Sequence, residues 1–121
     1  MLTTFSTRRI LPVTALTLVV GLAAPFAAAA QDAALVKKGE QVYAAQKCAT
    51  CHSIAGKGKK TNPLDGVGGK LSADEIKQWI LDPKGMAAKA KSTKKPPMAA
   101  KYNSLPAADV DALVAYMASL K

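Results

Sequence analysis

The chain is poor in the residues that most often build metal and redox sites: its 121 residues include one histidine and two cysteines. A structural zinc site takes four cysteine or histidine ligands, so these residues cannot complete one. A disulfide between cysteines three positions apart would close too small a loop to stabilise a fold substantially. A thioredoxin-like pair would lie beside a βαβ pattern, and no convincing alternating strand follows the cysteines.

All three of these residues fall in one pentapeptide, Cys48-Ala49-Thr50-Cys51-His52. A C-x-x-C-H sequence is the attachment pattern of c-type haem. Its spacing lets two thiols add to the two vinyl groups of one porphyrin, and the adjacent imidazole can then bind the iron. The sequence therefore predicts one covalent haem c, held by Cys48, Cys51 and His52.

Arginine is confined to Arg8 and Arg9, which precede an almost wholly apolar run, residues 10–26, and then four alanines. This order is typical of a secretion signal that is cleaved after a small residue. We expect residues 1–30 to be a signal peptide cut after Ala30, and residues 31–121 to form one domain. An uncleaved membrane anchor and a twin-arginine signal are the alternatives. Because c-type haem is attached outside the cytoplasm, general secretion and a periplasmic location are favoured.

Acidic residues are few. Beyond residue 30 the chain has fifteen lysines, no arginine and eight acidic residues, a net charge of +7. Such a surface favours acidic partners, with an association that weakens as salt is added. Simple solubility is the alternative explanation for these lysines. Nucleic acid is not an expected partner, because the chain is exported and its basic residues are not interleaved with aromatic ones.

Helical periodicity recurs in three places. The first stripe precedes the cysteines and consists of Leu35, Gly39, Val42, Tyr43 and Gln46. The second follows a capping box, Ser72 to Glu75, ends at Asp82-Pro83 and presents Ile76, Trp79 and Ile80. The third starts near Pro106, has Asp109 in its first turn and presents Val110, Leu113, Val114, Met117 and Leu120. Residues 53–71 and 83–105 are predicted to be irregular, and no β-hairpin signal stands out.

The second axial position of the iron needs another residue, since no other histidine exists. Methionine is the natural candidate, because His/Met ligation suits electron transfer. Met1 is lost with the signal peptide, and Met117 lies on an apolar helical stripe, where packing is its expected role. Met98 follows Pro96 and Pro97, which restrict the backbone before it. We favour Met98, with Met86, a lysine or an open site as alternatives.

With these residues in hand, residues 33–120 resemble a class I cytochrome c. The resemblance is carried by an ordered set: Gly39, Tyr43, Cys48-x-x-Cys51-His52, Leu64-x-Gly66, Met98 and Leu113-x-x-Tyr116. It implies an all-α fold in which three or more helices surround one haem. It also implies that the first and last helices cross closely, with Gly39, Tyr43, Leu113 and Tyr116 packed at the crossing.

The resemblance further implies residues that support the haem. In this family a proline carbonyl accepts a hydrogen bond from the ligand histidine, within a Gly-Pro pattern followed by leucine. This chain has Asn62-Pro63-Leu64, so Pro63 is the expected acceptor and Asn62 the alternative. Leu64 is expected to pack on the haem face. Trp79 is expected to line the porphyrin edge or to reach a propionate, and a plain core role is the alternative.

The function implied is that of a periplasmic one-electron carrier without enzymatic activity, whose partners are redox proteins with acidic docking surfaces. The lysines expected to surround the haem are Lys57, Lys59 and Lys60 on the cysteine side, and Lys89, Lys91, Lys94, Lys95 and Lys101 on the Met98 side. The chain is expected to be a monomer or, alternatively, a subunit permanently bound to a periplasmic oxidoreductase such as a sulfur-compound dehydrogenase. A membrane contact is expected only through an uncleaved leader or a membrane redox complex. An enzyme or gas sensor is disfavoured, because no spare histidine or acid lies near Met98.

Overall fold

The computed structural model describes the backbone of residues 24–121 and the side chains of residues 32–121. Its five α-helices are α1 (Ala24–Ala45), α2 (Val67–Lys70), α3 (Ala73–Leu81), α4 (Pro83–Lys89) and α5 (Ala107–Ser119). Its other elements are the 3₁₀ helices Cys48–Thr50 and Ala100–Ser104 and the strands β1 (Ser53–Ile54) and β2 (Lys57–Gly58). The expectation of a mostly helical fold is confirmed. No helix in the described part of the chain is both long and apolar enough to span a membrane.

Helices α1 and α5 make the most extensive contact between elements, as the sequence predicted. A Cβ at Gly39 would overlap the Ala112 carbonyl oxygen, so glycine is what allows the two backbones to approach this closely. Tyr43 and Tyr116 pack edge to face beside that point, with ring centroids 5.8 Å apart. Lys38 and Asp109 add an ion pair of 2.8 Å between the same helices. The apolar stripes thus form one core, although Leu35 at its end is 36% exposed.

Helix α3 begins at the predicted capping box. The Ser72 side chain accepts a hydrogen bond from the Glu75 backbone N–H, and the Glu75 carboxylate accepts one from the Ser72 N–H. Ile76 and Ile80 are buried against α5. The predicted end of this helix at Asp82-Pro83 is confirmed, since α3 stops at Leu81. The expectation that residues 83–105 are irregular is wrong in part, because they contain the 3₁₀ helix Ala100–Ser104 and because Asp82 also caps a new helix, α4. Its carboxylate accepts from the Gly85 N–H, and Pro83 occupies the first helical turn.

The segment between residues 53 and 71 is also more regular than predicted. Ser53–Ile54 and Lys57–Gly58 form an antiparallel hairpin whose two turn residues, Ala55 and Gly56, have φ of 49° and 75°. This turn is unusual because alanine rarely adopts positive φ, and so residues 53–58 carry no recognisable hairpin pattern. The Asp65 carboxylate accepts from the Ala55 N–H at 2.7 Å and steadies the turn.

The short helix α2 is attached to the end of α5. The Gly68 N–H donates to the Leu120 carbonyl at 2.9 Å, and the Lys121 ammonium donates to the Gly68 carbonyl at 2.7 Å. A Cβ at Gly68 would overlap the Ala118 carbonyl oxygen. These contacts bring the segment that follows Leu64 against the last helix.

The predicted signal peptide lies mostly outside the described residues, and its cleavage after Ala30 stays a prediction.

Candidate functional site

His52 is fixed at its backbone and at its ring. Its N–H donates to the Cys48 carbonyl at 3.0 Å, within the turn that contains both cysteines. Its carbonyl accepts from the Lys59 N–H at 3.0 Å. Its ring Nδ1 lies 3.1 Å from the Asn62 carbonyl oxygen. A carbonyl oxygen can only accept, so Nδ1 must carry the ring proton, and Nε2 keeps the lone pair that a metal requires.

The acceptor of the His52 hydrogen bond is Asn62, and the expectation that Pro63 supplies the carbonyl is wrong. The reason is a strand-like contact: Ser53 N–H donates to the Asn62 carbonyl at 3.3 Å, and Leu64 N–H donates to the Ser53 carbonyl at 2.8 Å. This pairing turns the Asn62 carbonyl toward residues 52 and 53. Pro63 is exposed, forms a parallel bridge with Ser53, and disfavours a helical conformation at the preceding Asn62.

A deep apolar cavity of about 820 Å³, including its open mouth, lies beside His52. It is lined by Tyr43, Cys48, His52, Leu64, Val67, Leu71, Ile76, Trp79, Ile80, Met98, Tyr102, Leu113 and Met117. Leu64 and Trp79, both predicted to contact the cofactor, therefore belong to its wall. Trp79 is half-buried, which distinguishes it from the fully buried Ile76 and Ile80 on the same helix. The expected contact of Trp79 with the cofactor and the alternative of a plain core role both stay predictions.

A second, more polar cleft adjoins the apolar cavity. The two share Cys48, His52, Trp79, Met98 and Tyr102. The cleft adds Cys51 together with Asn62 and residues of the segment before Met98, among them Lys94, Lys95, Pro96 and Pro97. Every residue predicted to hold the cofactor, other than Pro63, thus lines the cavity, the adjoining cleft or both.

The methionines occupy three different environments. Met98 is half-buried and lines both the cavity and the cleft. Met86 lies on α4 and lines neither. Met117 is 7% exposed and belongs to the core cluster, in addition to touching the apolar cavity. Of the two candidates left by the sequence, Met98 is the one whose side chain reaches the space beside His52.

Tyr43 and Tyr102 also line the cavity, and the sequence had not assigned them to the site. Burial raises the pKa of Tyr43 to about 12, and its hydroxyl has no hydrogen-bond partner. Burial raises the pKa of Tyr102 as well. Tyr102 was identifiable in principle, as the single aromatic residue in the lysine-rich segment 83–105.

These residues fit the haem c that the sequence predicts. Both cysteines are free, and burial raises the pKa of the Cys48 thiol, which stays neutral in the apolar wall. The apolar cavity lies directly beside Cys48 and His52. Its almost wholly apolar lining suits a porphyrin face, and the donor set of two thiols, an imidazole and a thioether suits attachment and ligation.

The charge around this space has one sign. Residues 41–64 and 83–108, which include the cysteines and Met98, contain ten lysines and no acidic residue. Six of the eight acidic residues lie on α1, α3 and α5, Asp82 caps α4, and the Asp65 carboxylate accepts from the Ala55 N–H. Asp109 and Asp111 are paired with Lys38 and Lys77, each at 2.8 Å. The lysines predicted to surround the site are exposed, and none of them forms an ion pair with a residue in the described part of the chain.

Comparison with known protein families gives one match: the family model described as Cytochrome c aligns with residues 36–121. The matched range contains all of the residues that line the cavity and the cleft. No curated protein and no solved structure is similar enough to this chain to count as a match.

Proposed function

Because the chain belongs to the cytochrome c family, we propose that it is a periplasmic one-electron carrier with a single His/Met-ligated haem c. One observation supports this most directly: His52 and Met98 line the same cavity beside the two cysteines. The family implies haem-based electron transfer, and its members are typically carriers and not enzymes. The specific ligands, the location and the absence of enzymatic activity are parts of the proposal.

Each residue has a defined task in this proposal. Cys48 and Cys51 form the thioethers, and His52 offers Nε2 to the iron because Nδ1 is held by the Asn62 carbonyl. Met98 would supply the second iron ligand. The haem would supply a one-electron couple. Leu64, Ile76 and Ile80 would exclude water from the cavity, and a pocket that excludes water and keeps its ligands favours small reorganisation.

The proposed partners are redox proteins with acidic docking surfaces. The lysines of residues 41–64 and 83–108 are exposed, neither segment contains an acidic residue, and Lys47, Lys94 and Lys95 line the cleft. Such a field raises the rate of encounter with an acidic protein and makes that rate fall with ionic strength. The stopped-flow rate of electron exchange with an acidic protein should therefore drop as salt is added. An unchanged rate would assign the lysines to solubility alone.

The experiment that tests the function is the optical spectrum of the periplasmically matured, reduced protein with and without carbon monoxide. A six-coordinate low-spin spectrum that carbon monoxide does not alter is expected. A rapid shift would show an exchangeable sixth position and would favour a sensor or an enzyme.

Two further measurements test the remaining parts. The mass of the exported protein should correspond to one haem on a chain that begins at Gln31. Gel filtration of a periplasmic extract at native abundance should give a small monomer. Elution with a larger protein would favour the alternative of a permanently bound oxidoreductase subunit.

A further inference from the structure

Asn62 holds the His52 region through two different groups. Its backbone carbonyl accepts from the imidazole Nδ1–H at 3.1 Å. Its side-chain Nδ2 donates to the Cys51 carbonyl at 3.3 Å. That carbonyl belongs to the peptide that joins Cys51 to His52. A single residue therefore contacts the ring of the histidine and the peptide immediately before it.

We propose that the side-chain amide of Asn62 is a positioning group that orients the His52 imidazole and tunes its strength as an iron ligand. The inference rests on the proposed function, because it takes His52 as the ligand. A proline at the acceptor position would fix its own φ but would offer no side-chain donor. In this chain the restraint on residue 62 comes from Pro63, which follows it, and from the amide bridge to Cys51.

The bridge is one of two contacts of equal length that hold Asn62. The Ser53 N–H donates to the Asn62 carbonyl at 3.3 Å, and the Asn62 amide donates to the Cys51 carbonyl at 3.3 Å, while Lys60 and Thr61, which precede Asn62, are exposed. The Asn62–Cys51 bridge makes the carbonyl and the imidazole move together, since both are attached to the Cys51–His52 peptide. A steady Nδ1–H···O bond increases the basicity of a ligating histidine. Loss of the bridge should therefore weaken the Nδ1–H···O hydrogen bond and make the imidazole a weaker electron donor to the iron.

Two substitutions separate this role from packing. Asn62→Ala removes the amide, and Asn62→Asp keeps its shape while replacing the donor with an acceptor that faces the Cys51 carbonyl. Asn103→Ala is the matched control, since Asn103 is exposed and lies on the 3₁₀ helix Ala100–Ser104. Each protein is matured with haem, and its optical spectrum is recorded first.

The deciding measurement is the exchange rate of the His52 Nδ1 proton, followed by NMR in the diamagnetic ferrous protein. A single hydrogen bond changes an opening equilibrium by about two- to tenfold, so both Asn62 variants should exchange faster by that factor. The reduction potential of Asn62→Ala should rise, because a less basic imidazole stabilises ferric iron less, whereas in Asn62→Asp the added carboxylate charge opposes this rise, so the proton exchange rate decides for that variant. Asn103→Ala should match the wild type in both measurements.

Unchanged exchange and potential in both Asn62 variants would overturn the proposal. Faster exchange in Asn62→Ala but not in Asn62→Asp would also overturn it, since packing and not the donor would then be responsible. A wild-type spectrum without histidine-ligated haem would instead refute the proposed function, and this outcome is visible before any variant is compared.

Discussion

The two sides of the cavity differ in how the chain holds them. On the histidine side, residues 47–65, backbone hydrogen bonds join segments about ten residues apart, as between Lys59 and Ala49 or Leu64 and Ser53. On the methionine arm, residues 90–99, the backbone bonds stop at Ser92. Beyond that point Lys94 makes the polar contacts, to the Ser92 hydroxyl at 3.3 Å and to the Thr61 carbonyl at 3.5 Å.

This difference indicates two ways of placing the two proposed iron ligands. His52 is held by its own backbone and ring hydrogen bonds, so its position is set by the fold around it. Met98 is held by the burial of its side chain and by the restricted backbone of Pro96 and Pro97. Residues 91–97 are exposed and contribute little packing. We therefore expect the histidine side to be sensitive to backbone changes and the methionine arm to open more readily.

The largest effect is expected when either ligand is removed. His52→Ala should abolish stable haem ligation. Met98→Ala should retain the covalent haem, bind carbon monoxide rapidly and lower the potential, since axial ligands set haem potentials over about 0.8 V. Optical spectra and redox titrations measure both effects. Met86→Ala, on α4, should behave as the wild type. An unchanged spectrum and potential in Met98→Ala would show that another residue is the ligand.

Hydrogen exchange should show the difference without any substitution. The amides of Ser53, Lys59 and Leu64 are bonded to backbone carbonyls and should exchange orders of magnitude more slowly than those of Thr93 and Lys95. Neither of the latter two donates a hydrogen bond within the part of the chain that the structure describes. Similar protection of both groups, measured by NMR on the haem-loaded protein, would contradict the comparison.

Two glycines of the histidine side test its sensitivity to backbone geometry. Gly58 has φ of 99°, and a Cβ there would overlap the His52 carbonyl oxygen. Gly58→Ala should therefore lower the free energy of unfolding by about 2–4 kcal/mol, through strain and overlap together. Gly56 has φ of 75° but open space around it, so Gly56→Ala should cost only about 1 kcal/mol. Denaturant unfolding measures both, and equal losses would refute the overlap at Gly58.

The smallest effect concerns two residues with φ of 49°, Ala55 on the histidine side and Lys91 on the methionine arm. Asparagine tolerates this conformation better than either residue does. Ala55→Asn should raise the free energy of unfolding by about 0.5–1 kcal/mol. Lys91→Asn should raise it less, because a loosely held arm can already relax. A larger gain at Lys91, in the same unfolding experiment, would reverse the comparison.

Sequence reasoning was most successful where one local pattern had one structural meaning. The capping box at Ser72 was correctly identified as a helix start, and in the last predicted stripe Val110, Leu113, Val114 and Met117 are buried while Leu120 is partly buried. The predictions were incomplete where one sequence pattern is compatible with two local structures. Asp82-Pro83 ends one helix and begins another, and Ala55-Gly56 forms a turn that its composition does not favour. Positive φ at alanine is maintained by the Asp65 contact, which no local pattern predicts.

The sequence by itself was enough to predict the cofactor chemistry, because Cys48, Cys51 and His52 lie within one pentapeptide. It was also enough to predict the helical core, because the spacing of apolar residues shows which face of each helix is buried. Only the tertiary structure decided that Asn62, and not Pro63, bonds His52. It also decided that Met98, and not Met86, reaches the cavity, and that Tyr43 and Tyr102 line it. These choices depend on how distant segments meet. A carbonyl turns toward a ring, or a side chain enters a cavity, only once strand pairing and helix crossing have fixed the backbone.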